Sequence, residues 1–249
     1  MKFFKKLTIV FFSLLITSTC LSKNIQYAGI GRASLMQYQA EKLYKIITDF
    51  LEENKEASPE NFDKICRNLI SQNIPEKNLL AEVDFEEKSK SGLILYRGFS
   101  KKGFAKNLKA GEVYIGSNTK NLFGMGIYTT DSLSTAKIYS DQKGTDSVVK
   151  MLLTTSDIKI LENKYLEKLK RIICTKHSDE FGEFLKERRR SFINENPTNE
   201  LFKNNKAAVF YNSGLLTRLL GYDCLHVSTS NYINEYLIVN TDILYVLSN

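Results

Sequence analysis

Four places along the chain carry residues able to do chemistry. The first is Tyr96-Arg97-Gly98, which closes the short apolar run Leu93-Ile94-Leu95-Tyr96. A charge at the end of a buried strand must find a partner, because an isolated buried charge is costly. Arg97 therefore reads either as half of a structural salt bridge or as an anion-binding group whose guanidinium forks onto phosphate oxygens. The second place is Gly124-Met125-Gly126-Ile127-Tyr128, whose glycines carry no Cβ and let the backbone approach a neighbour closely. The third is Tyr139, eleven residues after Tyr128, so that two rings are placed to face each other across a flat ligand. The fourth is Asn234-Glu235-Tyr236, where Glu235 is an acid inside a predicted core strand. The plainer readings are two core tyrosines and an Arg-Gly turn.

Elements are needed to position these groups. Residues 127–129 read as a short strand, followed by a helix cap at Thr130 or Asp131 and about 9 helical residues. Further strands are expected at 93–96, 113–115, 148–153, 223–227, 235–239 and 243–247. Ahead of them, Leu35, Tyr38, Leu43, Ile46, Ile47, Phe50 and Leu51 recur at helical steps. Ser58-Pro59-Glu60 is a helix start, with a cap at Ser58 and proline at the first helical position. Residues 23–90 thus form a helical N-terminal segment. Residues 156–220 read as a helical insertion, with one amphipathic helix carrying Ile160, Leu161, Tyr165, Leu166, Leu169, Ile172 and Ile173. Pro197 interrupts the insertion.

The first 22 residues read as a secretory signal peptide. Lys2, Lys5 and Lys6 precede a mainly apolar run from Leu7 to Ile16, and small residues follow at Ser18, Thr19, Cys20 and Ser22. Ten residues are too few to cross a hydrocarbon core of ~30 Å. Export follows, with the mature chain beginning near Leu21 or Lys23; acylation at Cys20 is disfavoured because Thr17 replaces the usual aliphatic residue. Loss of this segment removes three lysines and no acid, so the net charge falls from +7 to +4. That balance is too mild to mark a nucleic-acid surface. The basic run at 186–190 reads as a solvated helix face. Cys66, Cys174 and Cys224, with His177 and His226, have neither a disulfide framework nor a metal spacing.

Taken in order, the four places resemble the ADP-ribosyltransferase superfamily. Gly124 to Tyr128, then Tyr139, then Asn234-Glu235-Tyr236 are similar to the catalytic domain of poly(ADP-ribose) polymerases. Tyr96-Arg97-Gly98 departs from that branch, which carries His-Gly there, and is similar to the arginine branch of bacterial toxins and phage enzymes. The resemblance covers residues 91–155 and 221–249 within a catalytic domain at 91–249. It implies an α+β fold: split antiparallel sheets around an NAD cleft, with the N-terminal helical segment and the helical insertion outside it.

The resemblance also implies roles. Glu235 would be the catalytic carboxylate, stabilising the oxocarbenium-like ribose left when nicotinamide departs. Tyr128 and Tyr139 would sandwich the nicotinamide ring, Gly98 would offer its backbone to the carboxamide, and Arg97 would hold a phosphate or ribose. NAD enters as co-substrate, with no metal. The position two before the catalytic acid, which helps choose the acceptor in this superfamily, is Ile233, so arginine is disfavoured as acceptor. Arg97 in place of histidine favours single transfer over chain growth. The expected function is an exported mono-ADP-ribosyltransferase, a toxin or effector acting on a protein in a host or competitor cell. The alternatives are an NAD glycohydrolase and a non-catalytic secreted binding module.

Overall fold

In a computed structural model of the chain, the described residues are 32–70, 73–99, 102–113, 115, 123–140, 148–154, 158–184, 204–228 and 234–248. The expected signal peptide with Cys20, the basic run at 186–190, Pro197 and Ile233 lie outside them.

Among the described residues, short apolar runs build eight strands, which join in one mixed sheet: β1 (Leu79–Leu80), β2 (Gly92–Gly98), β3 (Ile127–Thr130), β4 (Val148–Thr154), β5 (Ile160–Glu162), β6 (Cys224–Ser228), β7 (Asn234–Ile238) and β8 (Leu244–Leu247). Their spatial order is β1-β8-β4-β2-β3-β7-β6-β5. The fold is α+β. The six central strands are antiparallel, but β1 runs parallel to β8 and β5 parallel to β6, so the outer pairs depart from the expected all-antiparallel arrangement. β5 and β6 are separated by the helices between residues 163 and 219, and β1 and β8 by the rest of the sheet, so neither pair is a hairpin and both can run parallel.

One seam divides the sheet. β2 and β4 pair along their whole length, from Gly92↔Thr154 to Gly98↔Val148. β3 and β7 pair at four positions, from Ile127↔Ile238 to Thr130↔Glu235. Between these halves, β2 and β3 share the single pair Tyr96↔Thr130. Beyond that pair the two strands diverge, leaving Arg97 and Gly98 on one side and Thr129 and Tyr128 on the other.

Helices cover both faces. On one face α1 (Arg32–Glu53), α6 (Asn163–Lys176), α7 (Asn205–Tyr211) and α8 (Ser213–Leu219) pack over β5, β6 and β7. Ala40, Leu43, Ile47 and Phe50 give α1 its buried stripe at three- and four-residue steps, meeting Leu166, Leu169 and Ile173 of α6 in one core with Leu225, Val227 and Leu237 of the sheet. α2 (Pro59–Leu69) starts as its sequence indicates, with the Ser58 Oγ accepting from the Asn61 N–H at 3.3 Å. Its Phe62 and Cys66 enter the same core. On the opposite face α4 (Lys102–Lys109) lays Ala105 and Leu108 on Leu95, Val149, Met151 and Val246. On the face away from α4, α3 (Glu82–Ser89) seats Phe85 against Leu152, and α5 (Leu133–Tyr139) crosses β2 at Gly98.

Three expectations are corrected. Residues 113 and 115 are not in a strand, and the pairing found there among the described residues is a bridge between Asn73 and Glu112. Ile160 and Leu161 belong to β5 and not to a helix, because they pair with Cys224 and Leu225 at the sheet edge; their spacing from Tyr165 and Leu166 mimics a helical period. The N-terminal segment, expected to be helical, also contributes the strand β1, and it supplies part of the main core.

Candidate active site

Gly98, Tyr128, Tyr139 and Glu235 all border the seam between β2 and β3. Glu235 sits in β7 opposite Thr130, one strand away from Tyr96, and by strand alternation Tyr96, Thr130 and Glu235 share a face. The Thr129 hydroxyl donates to the Tyr236 carbonyl at 2.9 Å, stitching β3 to β7 beside the site. α5 is capped by Ser132, whose Oγ accepts from the Thr135 N–H, and not by Thr130 or Asp131; it runs for seven residues. Thr130 instead turns its hydroxyl to accept from the Ser132 N–H at 3.2 Å. At the far end of α5, Tyr139 is 60% exposed and donates its phenol to Glu235 Oε1 at 3.3 Å.

That contact has an electrostatic signature. The Glu235 carboxylate, aided by partial burial and by the hydrogen bond itself, raises the Tyr139 phenol above its ordinary range, because a phenolate would face a second negative charge. Replacing Glu235 with glutamine should return Tyr139 toward the ordinary value. A pH titration of ¹³C-labelled tyrosine, with Tyr139 assigned through a Tyr139→Phe variant, measures it; an unmoved Tyr139 would mean that the two groups do not meet in solution.

Tyr128 is held differently. Its hydroxyl accepts from the Phe123 N–H at 3.0 Å and donates to the Gly124 carbonyl at 2.9 Å, fixing the ring to the loop that precedes its own strand. Burial pushes its phenol well up, Glu235 adds to this, and the Phe123 N–H and Arg97 oppose it. Tyr128 and Tyr139 flank the seam from two elements.

The two glycines of the loop serve packing. Gly124, at φ +86°, would place a Cβ 2.1 Å from Asn212 Oδ1, and Gly126, at φ +149°, one 2.6 Å from a Leu237 methyl. Asn212 Oδ1 accepts from both the Met125 and the Leu215 N–H at 2.9 Å, and the Gly214 N–H donates to the Phe123 carbonyl. The loop carrying Tyr128 is therefore docked on the first turn of α8. Asn212 was not anticipated; its only sequence signal is a cap-forming residue before the run Gly214 to Leu219.

Gly98 lies where α5 crosses β2, and a Cβ there would sit 1.9 Å from the Ala136 carbonyl oxygen. Its missing side chain admits the helix that carries Tyr139. Arg97, by alternation, stands on the other face of β2. Its guanidinium lies over the Phe99 ring at 4.8 Å and lines a cavity of about 140 Å³ with Phe104, Asn107, Leu108, Glu112 and Val113. Burial lowers its pKa to about 10, with the Tyr128 hydroxyl acting in the opposite sense, so it stays charged at neutral pH. The structure thus gathers Gly98, Tyr128, Tyr139 and Glu235 and sets Arg97 apart on the α4 side.

Among the described residues no group of three His, Cys, Asp or Glu side chains is arranged to hold a metal, and no helix is long and apolar enough to cross a membrane. Cys66 and Cys174 are free and buried, and burial pushes their thiols up to about 12 and about 11, away from the nucleophilic thiolate. No family model, no curated protein and no solved structure matches the chain.

Proposed function

We propose that the chain is an exported NAD-dependent mono-ADP-ribosyltransferase of ADP-ribosyltransferase-like fold, releasing nicotinamide and passing ADP-ribose to a protein acceptor. The observation that carries this reading is the Tyr139–Glu235 contact, an aromatic ring and a carboxylate meeting where the sheet is joined by one residue pair. Among the described residues β2 has no strand partner on its β3 side at Gly98, which suits that edge to a carboxamide. Tyr139 offers an exposed ring face for a flat heterocycle, and Tyr128 supplies a second ring fixed from below. Glu235 is half-buried, so its charge acts through less water than at an open surface.

The chemistry needs little more. The bond between ribose C1′ and the nicotinamide nitrogen breaks, and its electron pair leaves with nicotinamide. Glu235 stabilises the positive charge that develops on the sugar. An acceptor atom then bonds to C1′ and gives up its proton.

A second reading, NAD glycohydrolase, passes the same sugar to water; Ile233, at the position that the resemblance ties to acceptor choice, has no polar group for an arginine. One experiment tests both. The purified chain, incubated with millimolar NAD, should release nicotinamide without added metal, and with labelled NAD and a cell lysate it should label discrete protein bands. Free ADP-ribose with no labelled band in any lysate would select the glycohydrolase. Folded protein with neither nicotinamide release nor calorimetric NAD binding would end the enzyme reading.

A further inference from the structure

A second polar cluster lies beside Glu235 and is not used by the chemistry above. It runs across four elements as an unbroken series of side-chain hydrogen bonds. Asn234 Nδ2 donates to Asp131 Oδ2 at 2.8 Å, Asn234 Oδ1 meets His226 Nε2 at 3.1 Å, and His226 Nδ1 meets Glu162 Oε1 at 2.9 Å. Asp131 follows β3, Asn234 opens β7, His226 is in β6 and Glu162 ends β5. The Tyr236 ring stacks on the imidazole, with centroids 4.9 Å apart.

Donor and acceptor rules fix the protons. Asp131 is a carboxylate and accepts only, so the Asn234 amide must turn its nitrogen to Asp131 and its oxygen to His226. Glu162, on the other side of the ring, also accepts only. His226 therefore faces an acceptor at each nitrogen, and both bonds exist together only when both nitrogens carry protons. The groups facing the imidazole are Glu162 from β5, Asn234 and Tyr236 from β7, and Cys224 on its own strand, with Asp131 one bond further. Tyr236 senses the same surroundings: its phenol is raised first by burial, then by Asp131, Cys224 and Glu162.

We infer that the series Asp131–Asn234–His226–Glu162 is a positioning device for Glu235, clamping the residue before it so that the carboxylate stays against Tyr139. Asn234 is gripped at both ends of its amide, from β3's turn and from β6, the two sides that flank β7. Glu235 follows it directly and cannot shift along the strand without breaking one of the grips. His226, Asn234, Asp131 and Glu162 are positioning residues, since none of them reaches the carboxylate itself. The inference rests on the proposed function only in giving Glu235 a reaction to perform.

Three measurements on the full chain test it. In ¹⁵N spectra the Asn234 side-chain amide, assigned through Asn234→Ala, should shift in Asp131→Ala and again in His226→Gln; an amide that neither replacement moves overturns the device. In His226→Gln, hydrogen exchange at the Glu235 amide should quicken about tenfold relative to that at Leu237; equal exchange in variant and parent overturns it. For NAD cleavage, His226→Gln and Glu162→Ala should lower kcat about tenfold with KM within about twofold, while Glu162→Gln, which keeps an acceptor for Nδ1–H, should retain most of the parent rate. Unchanged kcat, or a loss tracking thermal stability in all three variants, overturns it. If the parent chain cleaves no NAD, the proposed function fails, and the first two measurements still decide whether the clamp exists.

Discussion

A Glu235→Gln chain should bind NAD almost as well as the parent and release nicotinamide about 10²–10³ times more slowly, the scale seen when one preorganised electrostatic group is removed. Glutamine keeps the shape and an oxygen that accepts from Tyr139, so the 3.3 Å contact survives the change. What disappears is the negative charge, and the sugar becomes positive only as nicotinamide leaves. The effect should therefore fall on kcat and not on KM. Steady-state kinetics with calorimetric NAD affinity separate the two. Glu112→Gln is the informative control, because Glu112 lines the Arg97 cavity on the α4 side and should leave turnover unchanged. Parent-like turnover in Glu235→Gln would make Glu235 a structural strand residue.

Much of the architecture could be read from the residues because local pattern and tertiary role agree there. The strands at Leu93–Tyr96, Ile127, Val148 and Glu235 are short apolar runs bounded by glycine or polar residues, and each pairs where its pattern suggests. Ser58-Pro59 starts α2 because cap and first-turn geometry are set by neighbours in sequence alone. The edge strand β5 was read as helix because a three-residue parallel strand acquires its identity from β6, more than sixty residues away.

At the site, the types of residue were legible and their sides were not. Strand alternation puts Arg97 and Glu235 on opposite faces, but that follows only once Tyr96, Thr130 and Glu235 are known to be in register. Arg97 therefore lines a cavity on the α4 side and not the seam beside Glu235. The glycines kept their reason, close approach, but the approaching groups are Asn212, Leu237 and the backbone of α5. Asn212 and the Asp131–Glu162 series stayed hidden because their partners are distant in sequence, and no spacing rule links a residue at 131 to one at 162 through 234 and 226.

The second large effect is expected at Gly98. An alanine there would put its Cβ 1.9 Å from the Ala136 carbonyl oxygen and 2.9 Å from the Ser140 nitrogen. Both contacts are backbone of α5 and the residue after it, so no side chain can rotate away. Either α5 rides up or β2 bends, and fully paired β2 is the stiffer of the two, locked to β4 at seven positions. Lifting α5 carries Tyr139 away from Glu235 and widens the seam. Displacement of a site group by about 1 Å costs on the order of 10² in rate, and forced overpacking costs about 1–3 kcal/mol of stability. Gly98→Ala should thus lower kcat/KM for NAD about a hundredfold and lower Tm, and the Tyr139 phenol should titrate nearer its ordinary value as Glu235 recedes. Gly103→Ala calibrates the measurement, since its Cβ would meet nothing within 4 Å and alanine in the first turn of α4 should leave stability unchanged or slightly raised. A Gly98→Ala chain with parent-like stability and turnover would show that α5 is not seated on β2 in solution, and Tyr139 would then lose its place beside Glu235.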